Sequence, residues 1–118
     1  MSRTSLTFTE KKIGIVTVFH LDGKIIGDIY TRKLCNRIKT LNEENMKYIV
    51  FDFRNVKWLN SLGIGSLMGC LTSLRSKGGD LRFANVHNSA LKYFKITKLD
   101  TVLDIFYTID SAVNSYSL

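Results

Sequence analysis

Tyr48-Ile-Val-Phe-Asp-Phe53 and, after a short polar interval, Lys57-Trp-Leu-Asn-Ser-Leu-Gly-Ile-Gly-Ser-Leu-Met-Gly-Cys-Leu71 form the stretch that decides the fold. The first six residues are aromatic and β-branched, the composition of a buried strand, whereas Ile64, Leu67, Met68, Leu71 and Leu74 recur at the spacing of one helical face. Strand, loop and helix follow in that order. Between the two patterns stand Asn60 and Ser61, residue types whose short side-chain oxygens accept the unpaired amides of a first helical turn. A hydroxyl is therefore expected at a helix N-terminus, where partial positive charge and free amide donors favour an added anion. Ser61 is a candidate phosphoacceptor on that ground, although local spacing alone favours a plain cap or loop hydroxyl.

Outward from this centre the chain reads as alternating elements. Upstream, Thr4 to Thr9 and Ile13 to Leu21 predict two strands of an antiparallel hairpin turned by Glu10-Lys11-Lys12, and Asp22-Gly23 turns the chain again. From about Asp28 to Asn42, residues Thr31, Leu34, Cys35, Ile38 and Leu41 share one helical face, with Asp28 as N-cap and Arg32, Lys33, Arg37 and Lys39 opposite. Arg54 to Asn60 is expected to be a loop. Downstream, the central helix ends at Gly78-Gly79, where glycine takes the left-handed conformation of a helix stop. Leu81 to Ala84 predicts a strand, Ser89 caps a short helix, Leu103 to Phe106 is the last strand and Thr108 to Tyr116 a final helix. Helices alternating with strands after an initial hairpin imply an α/β chain with a mixed β-sheet.

With 118 residues, no proline and no low-complexity run, the sequence predicts a single domain over residues 1–118. The N-terminus lacks the apolar core of a secretory signal, and no run approaches the roughly 20 apolar residues of a membrane span. A cytoplasmic protein without membrane contact is expected. The formal net charge of +7 raises nucleic-acid binding, but the cations are scattered over every predicted element, as on a solvated surface, and fit an acidic protein partner equally well. No direct nucleic-acid contact is predicted.

Chemistry-bearing constellations are sparse. Cys35 and Cys70 lack metal or redox spacing and are expected to be buried free thiols, and His20 and His87 stand alone, which argues against a metal site, a catalytic base and an enzyme. Gly63, Gly65 and Gly69 evoke the dinucleotide fingerprint, but its third glycine would fall at Met68. Gly65 and Gly69 are instead expected to let their helix approach the sheet closely. No cofactor is predicted.

Leu59-Asn-Ser-Leu-Gly-Ile-Gly65 resembles the signature of the STAS domain family, specifically of bacterial anti-sigma factor antagonists: an apolar residue, Asp, Ser, a small residue, Gly, an aliphatic and Gly. Val50 to Val56 and Lys77-Gly-Gly-Asp-Leu-Arg-Phe-Ala-Asn-Val86 are similar to its flanking elements, so the likeness covers nearly the whole chain. It implies a STAS fold with helices packed on one face of the sheet. It further implies that Ser61 is phosphorylated and that the unmodified protein binds an anti-sigma factor with serine kinase activity, freeing the sigma factor. Phosphorylation releases the partner, and a PP2C-type phosphatase reverses it. Trp58, Leu59, Asn60, Ser61, Leu62, Gly63 and Ile64 are the expected partner-binding residues, Trp58 serving either as an interface anchor or as a plug of the sheet end. Asn60 and Leu62 depart from the family's Asp and small residue. Loss of that negative charge predicts slower phosphorylation or none, and supports an alternative role as a structural or adaptor STAS subunit of a stressosome-like or lipid-transport complex.

Overall fold

The computed structural model describes residues 4–116. Five strands pair in chain order: β1 (Leu6–Ile13), β2 (Val16–Ile25), β3 (Tyr48–Leu59), β4 (Asp80–Ala84) and β5 (Asp104–Phe106). β1 and β2 are antiparallel, and the remaining pairings are parallel. Parallel neighbours need crossovers, and these are supplied by α1 (Ile29–Glu43), α2 (Ser61–Ser76) and α3 (Asn88–Ile96). α4 (Ile109–Asn114) closes the described chain.

Strand alternation sorts the side chains into two layers. Phe19, Leu21, Ile49, Phe51, Phe53, Leu81 and Phe83 face the buried stripes of α1, α2 and α3, which contribute Leu34, Ile38, Leu67, Leu71 and Phe94 among others. Val16, Val18, Val50 and Ala84 face the other way, under Ala112 of α4 and Tyr116. Three helices thus pack on the expected face and the six-residue α4 on the opposite one. Tyr116 is fastened there by a 2.8 Å hydrogen bond from its hydroxyl to the Ile49 carbonyl, and burial pushes its phenol pKa far up.

Several local expectations are corrected. The hairpin turns at Gly14-Ile15, with Ile13 paired to Val16, and Glu10-Lys11-Lys12 lies inside β1. β1 is an edge strand, where exposed charge discourages pairing with another chain, so a charged triplet there need not be a turn. β2 continues through Asp22-Gly23 to Ile25, and β3 continues through the expected loop to Leu59, the two pairing as far as Ile25 with Leu59. Register shifts between His20 and Asp22 and between Gly23 and Lys24 interrupt the period-2 pattern, which hides this extension from the sequence. α3 begins at Asn88 after His87, which makes no side-chain cap bond, and Ser89 lies within the helix. Cys35 and Cys70 are not independent free thiols: α1 and α2 bring them together as a disulfide pair, with Cα atoms 6.0 Å apart.

The close approach of α2 to the sheet also uses a different glycine. A Cβ on Gly63 would collide with the Ile25 backbone carbonyl, whereas Gly65 and Gly69 have nothing within 4 Å of that position. The helix is pressed against the end of β2 at its first turn and nowhere else needs glycine for clearance.

Candidate partner-binding site

The site is built where β3 hands over to α2. Asn60 is extended (φ −133°, ψ 178°), and its amide donates to the Ile25 carbonyl at 3.2 Å, tying the junction to the end of β2. Its side-chain oxygen accepts from the Gly63 amide at 2.9 Å, and its carbonyl accepts from the Ile64 amide at 2.9 Å. Asn60 is therefore the N-cap, and Ser61 is the first helical residue. That division leaves Ser61 exposed, with no side-chain hydrogen bond among the described residues. Three other hydroxyls of α2 are occupied: Ser66 donates to the Leu62 carbonyl at 3.1 Å, Thr72 to the Met68 carbonyl at 2.9 Å and Ser76 to the Ser73 carbonyl at 2.7 Å.

A second helix start lies alongside. Gly27, at φ +78°, backs onto Leu62, so the turn from β2 into α1 abuts the first turn of α2. Asp28 caps α1 by accepting from the amides of Tyr30 at 3.1 Å and Thr31 at 3.2 Å, and from the Ser5 hydroxyl at 2.5 Å. Burial alone would raise its carboxyl pKa, but the Ser5 hydroxyl and the Thr31 and Tyr30 amides together hold it below the usual value.

Apolar side chains project around these helix starts. Leu62 is 70% exposed, Ile29 63% and Trp58 57%, values that large hydrophobics reach without a core role. Trp58 is an exposed strand residue and does not plug the sheet end. With Leu59, Ser89, Lys92, Tyr93 and Ile96 it lines a groove of about 240 Å³ between the end of β3 and α3. The seven expected partner-binding residues therefore divide: Trp58, Ser61 and Leu62 are exposed and Asn60 half-buried, while Leu59, Gly63 and Ile64 are buried beneath them.

One polar cluster escaped the sequence reading. Asp52, buried in β3, accepts from Asn85 Nδ2 at 2.8 Å and from the Arg54 amide at 3.0 Å, and its other oxygen is 2.8 Å from His20 Nδ1. His20 is thus not isolated. It is the cross-strand partner of Asp52, a relation readable only once the β2–β3 register is known. Burial opposes the charged carboxylate, yet the hydrogen bonds from Asn85, His20 and Arg54 outweigh it and depress the pKa. A depressed folded pKa supplies stability that is complete above the unfolded value of about 3.9 and is lost as pH falls through the lower folded value. Asp52→Asn is accordingly expected to cost about 1–3 kcal/mol at pH 7. In urea unfolding, the gap between wild type and variant should narrow below pH ~4; a gap independent of pH would contradict a stabilising charge.

The fold and this junction define the class of protein. The family model described as STAS domain matches residues 8–112, and the chain belongs to that family. Among solved structures it is similar to an anti-sigma factor antagonist from Mycobacterium paratuberculosis, at 22% identity and TM-score 0.78, covering 94% of this chain and 93% of that one. The phosphorylated form of the Bacillus cell fate determinant SpoIIAA matches at 18% identity and TM-score 0.72, covering 92% and 98%. A sulfate transporter family protein from Wolinella succinogenes matches at 19% identity and TM-score 0.70, covering 87% and 85%. These likenesses establish a shared mixed α/β fold. Among the described residues, no helix is long and apolar enough to cross a membrane.

Proposed function

We propose that the protein is an anti-sigma factor antagonist that acts by partner switching, without catalysis or a cofactor of its own. Unphosphorylated, it binds an anti-sigma factor with serine kinase activity in the cytoplasm and frees the sigma factor; phosphorylation of Ser61 releases it, and a PP2C-type phosphatase restores it. The observation that carries this reading is the exposed, unengaged Ser61 hydroxyl at the first position of α2, beside exposed Leu62. Asn60 retains the capping hydrogen bond to Gly63, so loss of the family's acidic residue leaves the helix start in place. Its effect falls on the charge presented to the kinase.

Trp58 supplies a test that separates binding from folding. An exposed tryptophan that anchors an interface loses binding energy on truncation without loss of core packing. Trp58→Ala is expected to weaken binding to the cognate kinase-type anti-sigma factor by about 2 kcal/mol or more, roughly 30-fold, with little change in melting temperature. Calorimetric titration and thermal unfolding of the same preparation decide it, and a large drop in Tm at unchanged affinity would make Trp58 a packing residue. Failure of wild-type protein to bind in either ADP or ATP would overturn the proposed function.

The similarity to a sulfate transporter family protein, together with Asn60 and Leu62, favours one other reading, a structural or adaptor subunit of a larger assembly. Light scattering distinguishes the two. A stable high-mass assembly supports the adaptor, and a monomer or dimer that binds the kinase supports the switch.

A further inference from the structure

We propose that Cys35 and Cys70 form a reversible redox pair beside a basic groove that selects anionic low-molecular-weight thiols and disulfides of the glutathione class. The geometry accommodates both oxidation states. Their Cα separation of 6.0 Å lies within the span of about 4.4–6.8 Å that a disulfide bridges, and the two sulfurs are paired across the α1–α2 interface. When the pair is reduced, the Cys35 thiol has an acceptor in place, because its sulfur is 3.6 Å from the Ser66 carbonyl oxygen. Neither state leaves Cys35 Sγ without a partner.

Access and charge select the reagent. Cys35 is half-buried and Cys70 buried, so an incoming thiolate reaches Cys35 first. Both cysteines line a groove of about 370 Å³ whose walls carry Arg32, Lys39 and Lys77 and, among the described residues, no acidic side chain. A groove of that size admits a tripeptide-scale ligand, and its cations attract carboxylates. Reduction proceeds by attack of a glutathione thiolate on Cys35 Sγ: the Cys35–glutathione bond forms, the Cys35–Cys70 bond breaks, and the electron pair leaves on the Cys70 sulfur. A second glutathione thiolate attacks the glutathione sulfur of that adduct and leaves Cys35 as thiolate with glutathione disulfide as product. Oxidation is the reverse, with glutathione disulfide accepting the two electrons.

The test uses the full chain. Wild-type protein equilibrated in glutathione and glutathione disulfide at varied ratio, then alkylated and weighed intact, should lose two thiols together as the ratio becomes oxidising. Two thiols that remain alkylatable in glutathione disulfide alone would overturn the pair. Cys70→Ala, which removes the resolving sulfur while keeping the buried position apolar, should accumulate one glutathione adduct on Cys35. Relative to a free-cysteine peptide, that adduct should form roughly tenfold faster than the adduct from the cationic disulfide cystamine. Arg32→Gln with Lys39→Gln, or high salt, should bring the two normalised rates together. Equal normalised rates at low salt would overturn the anionic selection, a conclusion wild-type protein can also supply through its initial oxidation rates by the two reagents.

Discussion

Ser61→Asp is expected to remain folded and to bind the kinase-type anti-sigma factor about 100-fold to several thousand-fold more weakly than wild type. The first half of that expectation follows from position. Ser61 is exposed and stands at the first turn of α2, where the helix dipole and amides accommodate negative charge, so far-UV circular dichroism and Tm should be nearly unchanged. The second half follows from the surroundings. In a closely packed interface over Leu62 and Ile29 the carboxylate would be desolvated without a counter-charge, and an uncompensated buried charge costs about 3–5 kcal/mol. Each 1.4 kcal/mol is about a factor of ten in affinity. Phosphate, which adds about −1.5 to −2 charges, should act in the same direction and more strongly. Release then needs no change in the fold of this protein. Ser61→Ala should bind and resist release by ATP. Phosphate incorporation and complex lifetime, measured for the three forms with kinase and ATP, check the whole scheme. Incorporation at Ser66 or Thr72, or tight binding by Ser61→Asp, would overturn it, and the engagement of the Ser66 and Thr72 hydroxyls with helix carbonyls argues for Ser61 over those two.

Gly63→Ala should be the most damaging single methyl that can be added to the first turn of α2. The new carbon would collide with the Ile25 backbone carbonyl, and backbone cannot swing aside as a flexible side chain can. Relief requires moving the start of α2 away from β2, which would stretch the Asn60 amide bond to that same Ile25 carbonyl and disturb the cap. A loss of about 3 kcal/mol or more is expected, at the upper end of overpacking costs. Gly65→Ala and Gly69→Ala are the controls. Both positions are open and helical, so alanine should be neutral or stabilise by up to about 1 kcal/mol through helix propensity. Chemical denaturation of the three variants ranks them, and comparable losses at all three would contradict the single close approach.

Much of the architecture was written locally. Asp28 before Thr31, Leu34, Ile38 and Leu41 predicts a capped amphipathic helix, and the structure places α1 over Ile29–Glu43 with Asp28 as its cap. Gly78 likewise stops α2 at a positive φ of 81°, a conformation glycine alone adopts without a steric penalty. Such signals depend on residues within a few positions of one another, so they survive without knowledge of the rest of the chain. Ser61 belongs to this group only in part: its neighbourhood marks a helix start, but whether it or Asn60 is the cap was settled by the contact of Asn60 with Ile25.

What depends on distant chain segments was decided by the tertiary structure. The extension of β3 to Leu59 exists because β2 pairs with it across two register shifts, and neither strand shows an uninterrupted alternation by itself. Choosing Gly63 over Gly65 and Gly69 as the contact glycine required knowing which turn of α2 meets Ile25. Cys35 and Cys70, separated by 35 residues, become a pair only because consecutive crossovers lie side by side on one sheet face. His20 and Asp52 meet for the analogous reason within the sheet. Residue type and short spacing therefore determined the helices, the Asp28 cap and the candidate hydroxyl. Strand register and helix juxtaposition determined which of those residues touch, because such contacts join segments whose separation along the chain carries no local signal.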